Sequence, residues 1–227
     1  MKKIHDGIYM ISLGSANVYL VETGPELILI DAGFPKKEKV LFDAIRKLGR
    51  PLSDLRHIIF THSHFDHVGS AAAIIKATGA KTYMHEADAK IAEEGGGFRT
   101  MRAAPSLLQR VLFRIFWHPN KRFESFHIDQ TLKDGDVLEL AGGFKVVHVP
   151  GHSAGHIVLL WKEDKVMFAG DIGTNLLSIG DPIGFENEKI GRESQRKLGK
   201  MDYEAIVFGH GRPITSNASE KIRRVWP

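Results

Sequence analysis

At 227 residues, 43% hydrophobic and 26% charged, the chain has the size and composition of a globular protein that can bury a sizeable core. A net charge of +4 and a pI near 9.2 make it mildly basic, a weak pointer to an anionic partner, while the absence of cysteine excludes disulfides and leaves nitrogen and oxygen to hold any metal. No apolar run reaches the roughly 20 residues of a membrane span, and the basic start Met1-Lys2-Lys3 leads into no signal-length apolar stretch, so a cytoplasmic location is expected.

Apolar and polar side chains alternate over Ile8 to Ile11, Asn17 to Val21 and Glu26 to Ile30, with turn signals at Leu13-Gly14-Ser15 and Thr23-Gly24-Pro25. This predicts a strand meander closing at Asp31-Ala32-Gly33. Between 36 and 48, Val40, Leu41, Ala44, Ile45 and Leu48 share a helical face, ended by Gly49 and Pro51; Ser53-Asp54 opens a short turn. His57 to Thr61 reads as a buried strand running into His62-Ser63-His64-Phe65-Asp66-His67. An Ala-rich helix is predicted over 68–78, stopped by Gly79, then a strand over 81–84 and a helix from Glu86 to Glu94.

Residues 95–123 differ in composition. They open with three glycines, contain no acidic residue, and carry Arg99, Arg102, Arg110, Arg114, Lys121 and Arg122. Leu107, Leu108, Val111, Leu112, Ile115 and Phe116 follow helical spacing, with Phe113 and Trp117 widening the stripe and Arg110 and Arg114 one turn apart on another face. The segment reads as a basic amphipathic helical insert between two β-rich halves.

The second half is denser in strands. Val137 to Leu140 and Phe144 to Val149 flank Ala141-Gly142-Gly143 as one hairpin, and His156 to Trp161 and Lys165 to Ala169 flank Lys162-Glu163-Asp164 as another. A helix near 187–198, a strand over 205–208 and a helix from about Asn217 complete the chain. Two β-rich halves, each with helices, place the chain in the α/β (α+β) class, with sheets packed face to face and helices outside.

Four potential metal ligands in six residues, His62, His64, Asp66 and His67, leave the carboxyl end of a predicted strand. His62 and His64, two apart in extended backbone, point the same way and can hold one ion. Asp66 and His67 start the next helix and face a second position, which suits a pair of ions about 3.5–4 Å apart. Three more strands end in a turn residue and a metal-capable side chain: Pro150-Gly151-His152, Gly170-Asp171 and Gly209-His210. The expected ligands are therefore His62, His64, Asp66, His67, His152, Asp171 and His210.

These motifs resemble the metallo-β-lactamase superfamily. Its HxHxDH loop reads here His62-Ser63-His64-Phe65-Asp66-His67, its later motifs match Pro150-Gly151-His152, Gly170-Asp171 and Gly209-His210-Gly211, and Ile30-Asp31-Ala32-Gly33 matches its early strand-end motif. The match runs in order from about residue 7 to 215. The resemblance implies one domain over 1–227 with the 95–123 insert, built as a four-layer αβ/βα sandwich of two mixed β-sheets with helices on the outer faces. It also implies two divalent metal ions, zinc first and iron or manganese next, with His62, His64 and His152 on one, Asp66, His67 and His210 on the other, and Asp171 bridging.

Such a pair would activate a bridging hydroxide for attack on a carbonyl or phosphoryl centre. Asp66 is the expected catalytic proton carrier, and Asp31 and His156 are expected to orient the ligands from behind. The segment Asp171-Ile172-Gly173-Thr174-Asn175 lacks the tyrosine of homoserine lactonases. Only 17 residues follow His210, too few for the helical region of glyoxalase II, although Lys221, Arg223 and Arg224 are among them. The added domains of the nuclease branches are absent, and a full Asp171 argues against the β-lactamase branch. What remains is an ester, thioester or lactone hydrolase acting on a small molecule.

Under this reading the 95–123 helix is a lid or wall, with Phe113 and Trp117 against an acyl chain and Arg110 and Arg114 on an anionic group. Peripheral membrane contact is the alternative role for that helix. A phosphodiesterase acting on a nucleotide or nucleic acid is the alternative activity, and a non-catalytic metal-binding module the second. Oligomeric state is not indicated.

Overall fold

A computed structural model describes residues 1–22, 24–161 and 165–227, and its strands form two mixed sheets and two small antiparallel pairs. The seven-stranded sheet runs, in spatial order, Lys2–His5, Ile8–Leu13, Ala16–Glu22, Leu27–Ile30, Leu55–Ile59, Lys81–His85 and Gln130–Leu132. The five-stranded sheet runs Ala205–Val207, Val166–Phe168, Ile157–Trp161, Phe144–His148 and Val137–Leu138.

Side-chain alternation builds the layers. In Leu27–Ile30, Ile28 and Ile30 face the other sheet, while Leu27 and Leu29 face helices. Ile8, Val21 and Ile59 meet Phe144, Leu159, Trp161, Phe168 and Val207 between the sheets. The opposite face of the first sheet is covered by Leu41, Ile45, Ile74 and Ile91 from the helices Glu38–Lys47, Ala71–Thr78 and Glu86–Glu94. On the second sheet, Val147, Val158, Leu160 and Ile206 pack under Leu198 and Ile222 of the helices Glu188–Gly199 and Ala218–Val225. The result is the four-layer helix, sheet, sheet, helix sandwich.

Strand direction places the functional edge. Leu27–Ile30 and Leu55–Ile59 pair in parallel, so Asp31 and His62 leave the first sheet at one edge. Phe144–His148 and Val166–Phe168 both run antiparallel to Ile157–Trp161, and Val166–Phe168 runs parallel to Ala205–Val207. The chain therefore delivers His152, Asp171 and His210 from the same end of the second sheet. Hydrogen bonds join the two edges: Ile157 N donates to Thr61 O at 2.9 Å, Asn17 N to Gly209 O at 2.8 Å, and Tyr19 Oη to Phe208 O at 2.7 Å.

Several local expectations are corrected. Val40 is exposed, because Leu41, Ala44 and Ile45 define the buried stripe and Val40 lies about 90° from its centre. The helix expected over 68–78 is two helices, Phe65–Val68 and Ala71–Thr78, broken at Gly69-Ser70, where a Cβ on Gly69 would collide with Pro35 and the Phe65 carbonyl. Lys2–His5 adds an edge strand that its charged side chains had disguised.

In the 95–123 segment the helix spans Leu107–Phe116, and most of the apolar stripe read from its spacing is exposed. Leu107, Leu108, Val111, Ile115 and Phe116 are exposed. The side that meets the molecule is Gln109 and Phe113, with Leu112 from the stripe beside them: Phe113 lies against Gly184 and Gln109 Nε2 donates to Asp181 O. The turn expected at Lys162, Glu163 and Asp164 lies outside the described residues, as does Thr23. Among the described residues no helix is long and apolar enough to cross a membrane.

Candidate metal centre

The seven expected ligands meet at the shared sheet edge. His62, His64 and His152 form one group whose ligand atoms lie within 4.8 Å of one another, Asp66, His67 and His210 form a second, and His62, His67 and Asp171 a third. Asp171 sits between the first two groups. Its Oδ1 is 3.4 Å from His67 Nε2, and its Oδ2 is 3.2 Å from His210 Nε2 and 3.7 Å from His152 Nε2. Asp66 Oδ2 lies 3.3 Å from His210 Nε2.

The loops fix the imidazole tautomers. Asp31, held at φ +61°, accepts at Oδ1 from Thr61 N and at Oδ2 from Thr61 Oγ1, each at 2.8 Å, and Oδ2 also accepts from His67 Nδ1 at 2.8 Å. The single hydroxyl hydrogen of Thr61 is thus committed, so its oxygen accepts from His62 Nδ1 at 3.0 Å. His152 Nδ1 donates to Gly184 O at 2.9 Å, and His210 Nδ1 donates to Ser15 O. Four imidazoles therefore turn Nε2 inward, toward a common centre.

These atoms supply the test of whether cations fit. Nε2 of His62, His64, His67 and His152, with Asp171 Oδ1, are buried without a hydrogen-bond partner among the described residues. A buried polar atom left unpaired costs about 1–3 kcal/mol, and converging lone pairs on that scale require an acceptor of electrons at their focus. Imidazole and carboxylate donors suit divalent zinc, iron or manganese. The residues fit the cofactor.

Electrostatics agree. Burial, then repulsion from neighbouring imidazoles, holds His62 well below the usual histidine range, and burial with His152 brings His64 down to about 3. Burial also lowers His152. Burial works against protonation of His67 and His210, but Asp171 with Asp31 lifts the first well above its usual value, and Asp171 with Asp66 lifts the second to about 10. Burial would raise Asp66, yet His210 and His67 bring it to about 2. Three imidazoles are thus already in the neutral form a metal needs, and cations at the second group would displace protons.

His156 lies behind the ligands. Its Nε2 accepts from Asp171 N at 2.9 Å, which positions the Asp171 turn, while its Nδ1 is buried without a partner among the described residues. Of the expected substrate contacts, Trp117 packs edge-on to His64 at 5.2 Å between ring centroids and Phe113 stacks on Trp117. Arg110 and Arg114 are both exposed and do not line the cavity above the ligands.

Sequence reasoning overlooked Asp88. This fully buried carboxylate accepts at Oδ2 from Ser63 N at 3.0 Å and Ser153 Oγ at 2.9 Å, and at Oδ1 from Gly155 N at 3.0 Å and Arg99 Nη1 at 2.8 Å. It ties the His62–His64 loop of one sheet to the His152 loop of the other. Arg99 continues to Glu186, which accepts from Ala154 N at 2.7 Å. The available signal was a carboxylate on the helix face shared by Ala89, Ile91 and Ala92.

Above the ligands lies a cavity of about 130 Å³ that reaches His64, Asp66, His152, Asp171 and His210. Phe34, Phe65, Met101, Leu112, Phe116, Trp117, Leu176 and Ile183 wall it. Lys121, its one Lys or Arg, stands 3.9 Å from the Phe65 ring centroid.

Comparison with known proteins places this geometry. The family model described as "Metallo-beta-lactamase superfamily" matches residues 11–210. The chain is 28% identical to "Probable metallo-hydrolase YflN" of Bacillus subtilis (strain 168), over 92% of this chain and 85% of that protein. It is 29% identical to "Acyl-coenzyme A thioesterase MBLAC2" of Homo sapiens, over 75% of this chain and 65% of that protein, slightly under two thirds of its length. The metallo-beta-lactamase family protein TTHA1429 from Thermus thermophilus shares the fold, with a TM-score of 0.74, 22% identity, and coverage of 98% of this chain and 79% of that one.

Proposed function

We propose that this chain, which belongs to the metallo-β-lactamase superfamily and is a metal-dependent hydrolase, cleaves an ester, thioester or lactone whose acyl side is apolar. The observation that carries this reading is the wall of the cavity. Among the described residues, eight large apolar side chains stand over the ligand cluster with a single Lys or Arg beside them, a lining that suits an acyl chain better than a polyanionic phosphodiester backbone. The thioesterase named among the relatives points the same way.

His62, His64 and His152 would hold one divalent ion, and Asp66, His67 and His210 a second, with Asp171 shared between them. Bound there, such ions supply a water nucleophile activated near neutral pH and polarise the carbonyl under attack. The remaining chemistry belongs to the chain. Trp117, Phe116 and Leu112 hold the acyl group against the site and exclude bulk water. Lys121 at the rim attracts an anionic leaving portion. Asp66, ionised and bordering the cavity, accepts the proton released on attack and returns it to the departing oxygen or sulfur. Asp31 and Thr61 keep His67 and His62 in the tautomer that presents Nε2.

A panel of p-nitrophenyl esters, acyl thioesters, lactones and bis-(p-nitrophenyl) phosphate tests the reading, run with and without exhaustive chelation. Turnover of the carboxylic substrates, lost on chelation and restored by zinc or manganese, is the expected result. Selective turnover of the phosphodiester would replace this reading with a phosphodiesterase, and activity in demonstrably metal-free protein would remove the metal requirement.

A further inference from the structure

The helix Leu107–Phe116 has ten residues, none of them buried. It rests on the molecule through Gln109 and Phe113, and contributes Leu112 and Phe116 to the cavity. At about 100° per residue, Leu107, Val111, Ile115 and Leu108 span an arc of roughly 100° facing away from the protein. Leu107 is 79% exposed, and the other three are about half exposed. Leu176 and Leu177 are exposed as well, the latter at 92%. Leu112 and Phe116 of the same helix line the cavity together with Leu176, so the helix that carries the outward apolar face also walls the cavity. A contiguous apolar surface of this kind marks an interaction site.

Charge decides the occupant. Arg114 and Arg110 lie about 20° and 60° from Leu107 around the helix, on one flank of the apolar arc. Among the described residues neither forms an ion pair. The whole 95–123 segment carries no acidic residue, and Lys121 and Arg122 extend the positive rim. A second copy meeting this face with the two helices antiparallel about a two-fold axis would set these arginines against their own equivalents, with no carboxylate on the segment to neutralise them. A plane of anionic headgroups accepts the same arrangement: the leucine, valine and isoleucine side chains enter the acyl boundary, and the arginine stems reach back to the phosphates.

We propose that Leu107–Phe116, together with Leu176 and Leu177, docks this chain on the surface of an anionic lipid bilayer with the cavity mouth turned toward the lipid. An acyl substrate dissolved in the bilayer would then reach the site without crossing bulk water. Docking itself is independent of the bond cleaved and is read without turnover.

Sedimentation of the full chain with sucrose-loaded vesicles tests this, comparing phosphatidylcholine alone with phosphatidylcholine containing about one third phosphatidylserine. Binding at least about tenfold stronger to the anionic vesicles and weakened by salt is expected. The double variants Leu108→Ser/Val111→Ser and Arg110→Glu/Arg114→Glu should each lower it by about tenfold or more while the thermal midpoint stays within a few degrees of the native chain. Absence of binding by the native chain overturns the proposal, as does binding that both folded variants retain. A native dimer that Leu108→Ser/Val111→Ser converts to monomer would assign the face to a second copy and overturn it equally.

Discussion

Asp31 Oδ2 lies 2.8 Å from His67 Nδ1, and the residue supplying that carboxylate sits at φ +61°, a left-handed conformation uncommon outside glycine, asparagine and aspartate. The strand Leu27–Ile30 ends in this conformation so that one side chain serves Thr61 and His67 together. Asp31 thereby sets the orientation of imidazoles on both sides of the cluster: His67 directly, and His62 through the Thr61 hydroxyl.

Asp31→Asn keeps the backbone conformation, since asparagine also tolerates it, and removes the charge that favours the Nδ1 hydrogen on His67. Metal affinity, measured by competition with a chromophoric chelator, is expected to fall about 10–100-fold with the circular dichroism spectrum unchanged. Unaltered affinity would show that Asp31 does not orient the ligands.

Asp88→Asn replaces an acceptor-only group by one carrying an NH2, which must face a donor: Ser63 N, Ser153 Oγ, Gly155 N or Arg99. The expected loss at pH 7 is about 2–4 kcal/mol in urea unfolding. Burial alone would raise the Asp88 carboxyl, but Arg99 and Ser153 hold it below its ordinary value. A depressed folded-state pKa means that the stabilisation is complete above the unfolded value of about 3.9 and is lost as pH falls through the folded value. The native chain should therefore lose more stability below about pH 4 than the variant does. Parallel pH profiles for the two would contradict the assignment.

Gly209→Ala would place a Cβ 2.6 Å from His67 Cε1 and closer still to Asp171 Oδ1. Neither group can retreat without leaving the cluster, so metal content by atomic absorption should fall and kcat/KM should drop by at least about 100-fold. A fully loaded, active variant would mean that the Asp171 turn is softer than its packing implies.

Trp117→Ala opens the wall beside His64. Removing this apolar contact should raise KM for an octanoyl ester by about tenfold or more and for an acetyl ester by little, because only the longer chain reaches the wall. Equal effects on both would assign Trp117 to packing of Phe98, Phe113 and the loop alone.

Much of the scaffold was readable because it is local. The helix Glu86–Glu94 falls where its residues predict, and the hairpin joining Val137–Leu138 to Phe144–His148 follows its Ala141-Gly142-Gly143 turn. The four strand ends that deliver His62, His152, Asp171 and His210 are marked by an apolar run followed by a polar donor. Val40 shows where locality ends: spacing admits it to a helical face, and only the packing partner fixes the centre of the stripe. The helix Leu107–Phe116 shows this more strongly. Its spacing declares one apolar side, yet Gln109 and Phe113 take the inward position because Asp181 and Gly184 stand there.

The sequence by itself determined the donor set, since the capacity of an imidazole or carboxylate to bind a cation is a property of the residue and travels with its letter. Tertiary structure alone decided which imidazoles are held neutral and which protonated, and that Asp88 braces the two loops carrying them. Those outcomes depend on distances and burial among residues up to about 150 positions apart, and the energy of a charge in low dielectric is set by its neighbours in space rather than along the chain.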